Sequence, residues 1–116
     1  MKTILMAAGF ALAMTGSASA GETQLTGPQI REALSDHTYR SADKGKDAEQ
    51  IFQASGTTYY TENGSQSQGR WEVRGDTYCS NWPPSEAWSC YMVVVDGEVL
   101  SFVSASGTRF PVVKVN

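Results

Sequence analysis

The sequence predicts an α+β domain: a short N-terminal helix packed on a curled antiparallel β-meander or small open barrel, tied by one disulfide. Three observations carry this reading. A capping signature opens one short amphipathic segment near residue 26. Beyond it, runs of β-forming residues recur between Gly-containing turn signals every 8–12 residues or so. The only two cysteines, Cys79 and Cys90, flank a separate link that carries Pro83-Pro84.

The helix comes first. Thr26 can accept from the backbone of Gln29 while Gln29 reaches back to Thr26, the reciprocal arrangement of a capping box. Leu25 and Ile30 are placed for a hydrophobic staple, and Pro28 is tolerated in a first turn. Ile30, Ala33 and Leu34 share one face, which predicts a helix over 27–36. A helix that short is stable only against a partner.

The partner is a sheet. A first strand starts near Thr38, and the charged stretch 42–49 reads as the loop after it. Seven further runs follow, at 50–54, 57–62, 68–74, 77–81, 88–96, 98–104 and 109–115. Asn63-Gly64 and Asp96-Gly97 are strong hairpin signals, because a tight two-residue turn needs positive φ. No long helical pattern separates the runs, which excludes parallel βαβ units. On one run the faces are explicit: Gln68, Arg70, Glu72 and Arg74 face water, and Gly69, Trp71 and Val73 face the core. Tyr91, Met92, Val93, Val94 and Val95 are continuously apolar, as in a strand covered on both faces, and the helix is expected to dock on the second.

The first twenty residues read as an address. One lysine, an apolar run of eleven and Ala18-Ser19-Ala20 form a secretory leader, so residues 21–116 are read as a single mature domain. The run is too short to span a bilayer, which needs roughly 20 residues, and no later run is apolar enough to anchor the chain. Periplasmic or secreted placement makes a Cys79–Cys90 disulfide the expected state of the pair. Bonded cysteines need neighbouring strands with Cα atoms roughly 5.5–6 Å apart, so residues 82–87 become a hairpin tip.

Several functions are excluded by composition. Net charge is −3, from nine basic and twelve acidic residues, so no basic face is available for nucleic acid. Two cysteines and one histidine, with Cys79 and Cys90 committed to each other, leave no metal site, and no cofactor motif is present. His37, the sole histidine, sits at the predicted helix end, where it reads as a partner of unpaired carbonyls rather than a catalytic base. The acidic residues fall in turns or on polar faces, so no catalytic pair is assigned. The domain is read as no enzyme.

Candidate interaction residues cluster around the tied loop: Trp82, Pro83, Pro84 and Trp88, with Tyr60 from the adjacent-tyrosine pair Tyr59-Tyr60. A stiff, closed loop presents aromatics with little entropy left to lose. The competing reading folds Trp82 and Trp88 back to close the core, with Trp88 the expected core member because it starts a strand.

Leu25-Thr26-Gly27…Ile30, Gly69-Arg70-Trp71, Cys79…Trp82 and Cys90 occur in an order that resembles a family of small exported bacterial proteins of no assigned function. The resemblance implies an exported α+β domain and brings no catalytic residue with it. Gly69-Arg70-Trp71 is also similar to the G-x-W of lipocalin-like barrels, which supports a curved sheet. The function expected is a non-enzymatic binding or interaction module for a protein, peptide or small apolar ligand, inhibitor-like in one version. The alternatives are a structural or envelope-stress accessory role and, last, a small hydrolase.

Overall fold

In a computed structural model, residues 21–116 form nine strands and one helix. In chain order they are β1 Thr23–Gln24, α1 Gly27–Leu34, β2 His37–Ser41, β3 Ala48–Phe52, β4 Thr57–Glu62, β5 Ser65–Arg74, β6 Thr77–Asn81, β7 Trp88–Asp96, β8 Val99–Val103 and β9 Arg109–Lys114. The secretory leader read from the sequence lies outside the described residues. Within them, no helix is long and apolar enough to cross a membrane.

Each strand from β2 to β9 pairs antiparallel with the next in sequence. β9 then returns to β2, with Val112 opposite Ser41, Val113 opposite Arg40 and Lys114 opposite Tyr39. The meander is therefore a closed eight-stranded barrel, and the expected α+β class, a helix on a curled meander or small open barrel, is corrected to an all-β barrel carrying one short helix. The closing pair joins residues more than seventy positions apart, so no local turn signal announces it. Closure removes the free edges that an open sheet would expose. Two strands also depart from their patterns: β3 is shifted towards the N-terminus, beginning at Ala48 inside the charged stretch and ending at Phe52, and β5 is longer, beginning at Ser65.

Turn chemistry follows residue type. Asn63 and Gly64 both have positive φ, 52° and 82°, as in a type I′ turn. The β7–β8 turn is displaced from the expected dipeptide. Asp96 pairs with Val99, so Gly97 and Glu98 are its central residues, and positive φ falls on Gly97 alone. Gly75-Asp76 repeats that pattern between Arg74 and Thr77. A glycine at the first central position is what a II′ turn requires.

Both halves of the capping box form: Gln29 N donates to Thr26 Oγ1 at 3.4 Å and Thr26 N to Gln29 Oε1 at 2.9 Å. The helix stops at Leu34, so His37 lies in β2 rather than in a last helical turn. α1 packs on β2, β5 and β6. β2 and β6 stand opposite each other in the ring, so the helix crosses one end of the barrel and plugs it. Gly27 permits its close seat, since a Cβ there would stand 2.2 Å from the Gly75 carbonyl oxygen. Gly27 N donates to Asp76 Oδ1 at 2.7 Å, and the Tyr39 hydroxyl to the Ala33 carbonyl at 2.7 Å. The helix therefore does not take its main seat on the apolar run of β7. There β1 pairs with Val94 and Val95, and Leu25 N donates to the Val93 carbonyl at 2.8 Å.

Fully buried Ile30 and Leu34 enter the core beside Phe52, Trp71, Tyr78 and Val93. Phe52 is the hub. Its ring lies 5.7–6.1 Å from those of Tyr39, Trp71, Tyr78 and Phe102, mostly edge to face. Trp71 is fixed by Nε1 donating to the Gln53 carbonyl at 2.8 Å. Its neighbours on β5 follow the expected alternation, with Gly69 and Trp71 buried and Gln68, Arg70, Glu72 and Arg74 exposed.

Cys79 and Cys90 are joined, and their strands pair in the expected register. Their Cα atoms are 4.0 Å apart, closer than anticipated. Directly opposed residues on antiparallel strands fall into wide and narrow classes, and this pair takes the narrow spacing.

Candidate functional site

The helix plugs the end of the barrel that carries the turns after β3, β5 and β7. The opposite end carries residues 42–47, 63–64, 82–87 and 104–108, and it is open. A cavity of about 250 Å³ enters the barrel there. Its walls follow from register, because paired residues on adjacent strands point to the same side. Tyr39 pairs with Gln50 and Gln50 with Tyr60; Tyr78 pairs with Tyr91, and Phe102 with Phe110. All seven line the cavity, together with Ser41, Ala48, Ser80 and Val112 from the same inward rows.

The loop adds one more wall. Trp82 folds back over the mouth, its ring 6.2 Å from that of Tyr60 and edge-on to it, with Nε1 donating to Ser80 Oγ at 3.2 Å. Gly69 makes this possible. A Cβ at that position would lie 2.5 Å from Trp82 Cε3 and 2.7 Å from the Asn81 carbonyl oxygen. Buried Asn81 holds the rest of the loop, its Nδ2 donating to the carbonyls of Ser85 at 3.0 Å and Ala87 at 2.9 Å. Gly69→Ala should therefore displace Trp82, lowering stability by about 1–3 kcal/mol as overpacking does. A near-ultraviolet circular dichroism spectrum unchanged from the parent would contradict that coupling.

Polar groups inside are few and connected. Gln50 Nε2 donates to Thr58 Oγ1 at 3.0 Å and to the Tyr78 hydroxyl at 3.2 Å, and Thr58 Oγ1 donates onward to the Ile51 carbonyl at 2.7 Å. The Tyr60 hydroxyl donates to Glu62 Oε1 at 2.7 Å. Burial pushes the Tyr78 phenol up to about 12, against the opposing hydrogen bonds to Ser80 and Gln50. Burial, then the hydrogen bond and charge of Glu62, push Tyr60 up to about 12. Burial also raises Tyr39. Charge enters at the rim, through Asp43, Lys46 and Glu49, and through Glu62 beside Tyr60. Lys46 Nζ stands 6.0 Å from the ring of half-exposed Phe110.

These shifts have a direction in pH. A phenol whose folded pKa lies above its unfolded value of 10 stabilises the fold fully below pH 10. That contribution is lost as pH rises towards about 12, where the buried Tyr78 must ionise. Alkaline titration followed by tyrosinate absorbance should show Tyr78 ionising together with unfolding rather than before it. Ionisation at pH 10 in a folded barrel would be inconsistent with its burial.

The residues singled out in the sequence separate in space. Trp82 and Tyr60 meet at the mouth, with Tyr59 on the opposite face of β4 as adjacent strand positions require. Pro83 and Pro84 are exposed at the loop tip and joined by a cis peptide bond. Trp88 is not a core residue. It lies on the outer face under Arg74 and Arg70, whose guanidinium carbons are 4.6 and 5.9 Å from its ring. His37 lies at the plugged end, its Nδ1 2.9 Å from the Asn116 carbonyl. Among the described residues, no three His, Cys, Asp or Glu gather where a metal ion could be held. Gln50, Tyr78, Ser80, Tyr91, Phe102 and Phe110 were not singled out by the sequence. The barrel register places them facing inward, but only the position of the helix separates cavity wall from filled core.

The barrel and its disulfide are compatible with the lipocalin-like resemblance at the level of architecture. No protein-family model, curated protein or solved structure matches the chain.

Proposed function

We propose that this chain is a non-enzymatic binding protein, working outside the cytoplasm, that holds a small and largely apolar ligand in the open end of its barrel. The observation that carries the reading is the aromatic-lined cavity of about 250 Å³ opposite the helix plug. Cavities lined mainly by apolar and aromatic side chains, with a few convergent polar groups, are the usual form of a small-molecule site. Support for the absence of catalysis comes from His37, which lies at the other end of the barrel, and from Ser80, whose Oγ is bonded to Trp82. The Cys79–Cys90 bond supports an oxidising compartment.

The test is a titration of the oxidised protein with naphthalene, indole and 1-octanol, read by tryptophan fluorescence and unfolding midpoint. Saturable one-to-one binding should raise the midpoint as ligand linkage requires. Ala48→Phe, which fills the mouth, should abolish the response. A midpoint unmoved by all three compounds, or moved equally in Ala48→Phe, would remove the cavity as the site.

A second reading is protein or peptide recognition by the loop tip. It is favoured by the exposure of Pro83, Pro84, Ser85, Glu86 and Ala87 on a loop fixed at its base by Asn81. Under that reading Pro84→Ala weakens capture of a partner and leaves small-molecule binding unchanged.

A further inference from the structure

We infer that the ligand is a neutral, planar aromatic molecule of one or two fused rings that carries a hydrogen-bond donor, and that Gln50 Oε1 receives this donor. The inference rests on the barrel mouth being a binding site, as proposed above, and specifies its substrate class. Three observations define that class.

The first is size. A cavity of roughly 150 Å³ in a protein interior takes a benzene, and drug-sized ligands occupy roughly 300–1,000 Å³. About 250 Å³ falls between them, which is room for more than one ring and less than a drug-sized molecule.

The second is the wall. Seven lining side chains are aromatic, against Ala48, Pro111 and Val112 as the aliphatic ones. Tyr60, Tyr78, Trp82, Tyr91, Phe102 and Phe110 offer both faces and edges, the surfaces on which another aromatic ring packs offset or edge-on. An alkyl chain would use none of that geometry.

The third is the arrangement of polar atoms. The Thr58 hydroxyl proton is committed to the Ile51 carbonyl, so Thr58 Oγ1 must accept from Gln50, and the nitrogen of the Gln50 amide must face it. That nitrogen also serves the Tyr78 hydroxyl. Gln50 Oε1 is left without a partner among the described residues, on a residue that lines the cavity. No buried side-chain oxygen or nitrogen there lacks a partner, so this oxygen is accessible. It is a fixed acceptor awaiting a donor. The charges that line the cavity lie at its rim, where the acids Asp43 and Glu49 outnumber Lys46, and the nearby Glu62 carboxylate is engaged by the Tyr60 hydroxyl, so none is placed to compensate an ion within. An anion entering the mouth would lose its hydration without replacement.

The experiment is calorimetric titration of the oxidised protein with 2-naphthol, 2-methoxynaphthalene, 2-naphthoate, a naphthyl trimethylammonium salt and 1-octanol. 2-Naphthol should bind about tenfold tighter than its methyl ether, the effect of one hydrogen bond. It should also bind tighter than the anion, the cation and the alcohol. In Gln50→Met the difference between naphthol and ether should vanish. The comparison on the unaltered protein stands even where that variant fails to fold. Equal affinities for naphthol and ether, or a preference surviving in Gln50→Met, overturn the role of Gln50. Tightest binding of octanol, naphthoate or the cation overturns the ligand class while leaving the binding reading intact. Binding of none of the five overturns both.

Discussion

Phe52→Ala should destabilise the barrel by about 3–5 kcal/mol, the usual cost of truncating a large buried aromatic. Phe52 has no solvent exposure, and four aromatic rings meet its own. Two opposing effects decide where in that range the loss falls. Phe52 stands between the helix plug and the ligand cavity, so removing it extends an existing void rather than creating an isolated one. Relaxation can shrink that void only if Tyr39, Tyr78 or Phe102 turn inward, and all three are held by register and neighbouring rings. We therefore expect the upper half of the range. A domain of this size has about 5–15 kcal/mol in total, so the variant should approach the edge of folding. Phe52→Leu, which keeps most of the volume, should lose markedly less. Urea denaturation with unchanged slope measures both. A Phe52→Ala loss below about 1 kcal/mol would mean that the core is centred elsewhere.

What could be read in the sequence was local, and what could not was long-range. The capping box, the Asn63-Gly64 turn and the alternation on β5 depend on residues a few positions apart, so composition and spacing expose them. The Cys79–Cys90 hairpin is nearly as local. Barrel closure depends on β9 meeting β2, and neither strand carries a mark of the other. An isolated count of strands therefore described a curled meander or open barrel where the chain forms a closed ring. Trp88 shows a subtler failure. The apolar run that follows it has no alternation, so its parity could not be carried back along β7 to say which way Trp88 points. Gly69 was legible as part of a motif but not as a reason. Its missing Cβ makes room for Trp82, thirteen residues on and just past the end of the paired strand β6. The cavity was illegible for the same cause: inward-facing residues line it or fill the core according to which end α1 plugs.

Removing the Cys79–Cys90 bond should lower stability by about 3 kcal/mol, the chain-entropy value for a closed loop of this length. The bond lies on the outer face of β6 and β7, with Cys79 fully buried and Cys90 exposed. Chemical reduction isolates the cross-link. Cys79→Ala with Cys90→Ala adds the packing lost at Cys79, so the double variant should be the less stable of the two. The effect on the mouth should be smaller than the effect on stability. The loop has a second anchor in Asn81, whose side chain holds the Ser85 and Ala87 carbonyls, and Trp82 has its own bond to Ser80. Reduced protein below its unfolding transition should thus keep Trp82 over the cavity and retain ligand affinity within about threefold, less than one ordinary hydrogen bond. Asn81→Ala should do the reverse, releasing the loop at a modest cost in global stability. Hydrogen exchange separates the two variants. Reduction should lower protection throughout the barrel, through the global free energy, whereas Asn81→Ala should lower it first at residues 82–87. If reduction alone freed the loop and abolished binding while global stability held, the disulfide would be a clasp on the mouth rather than a brace on the fold.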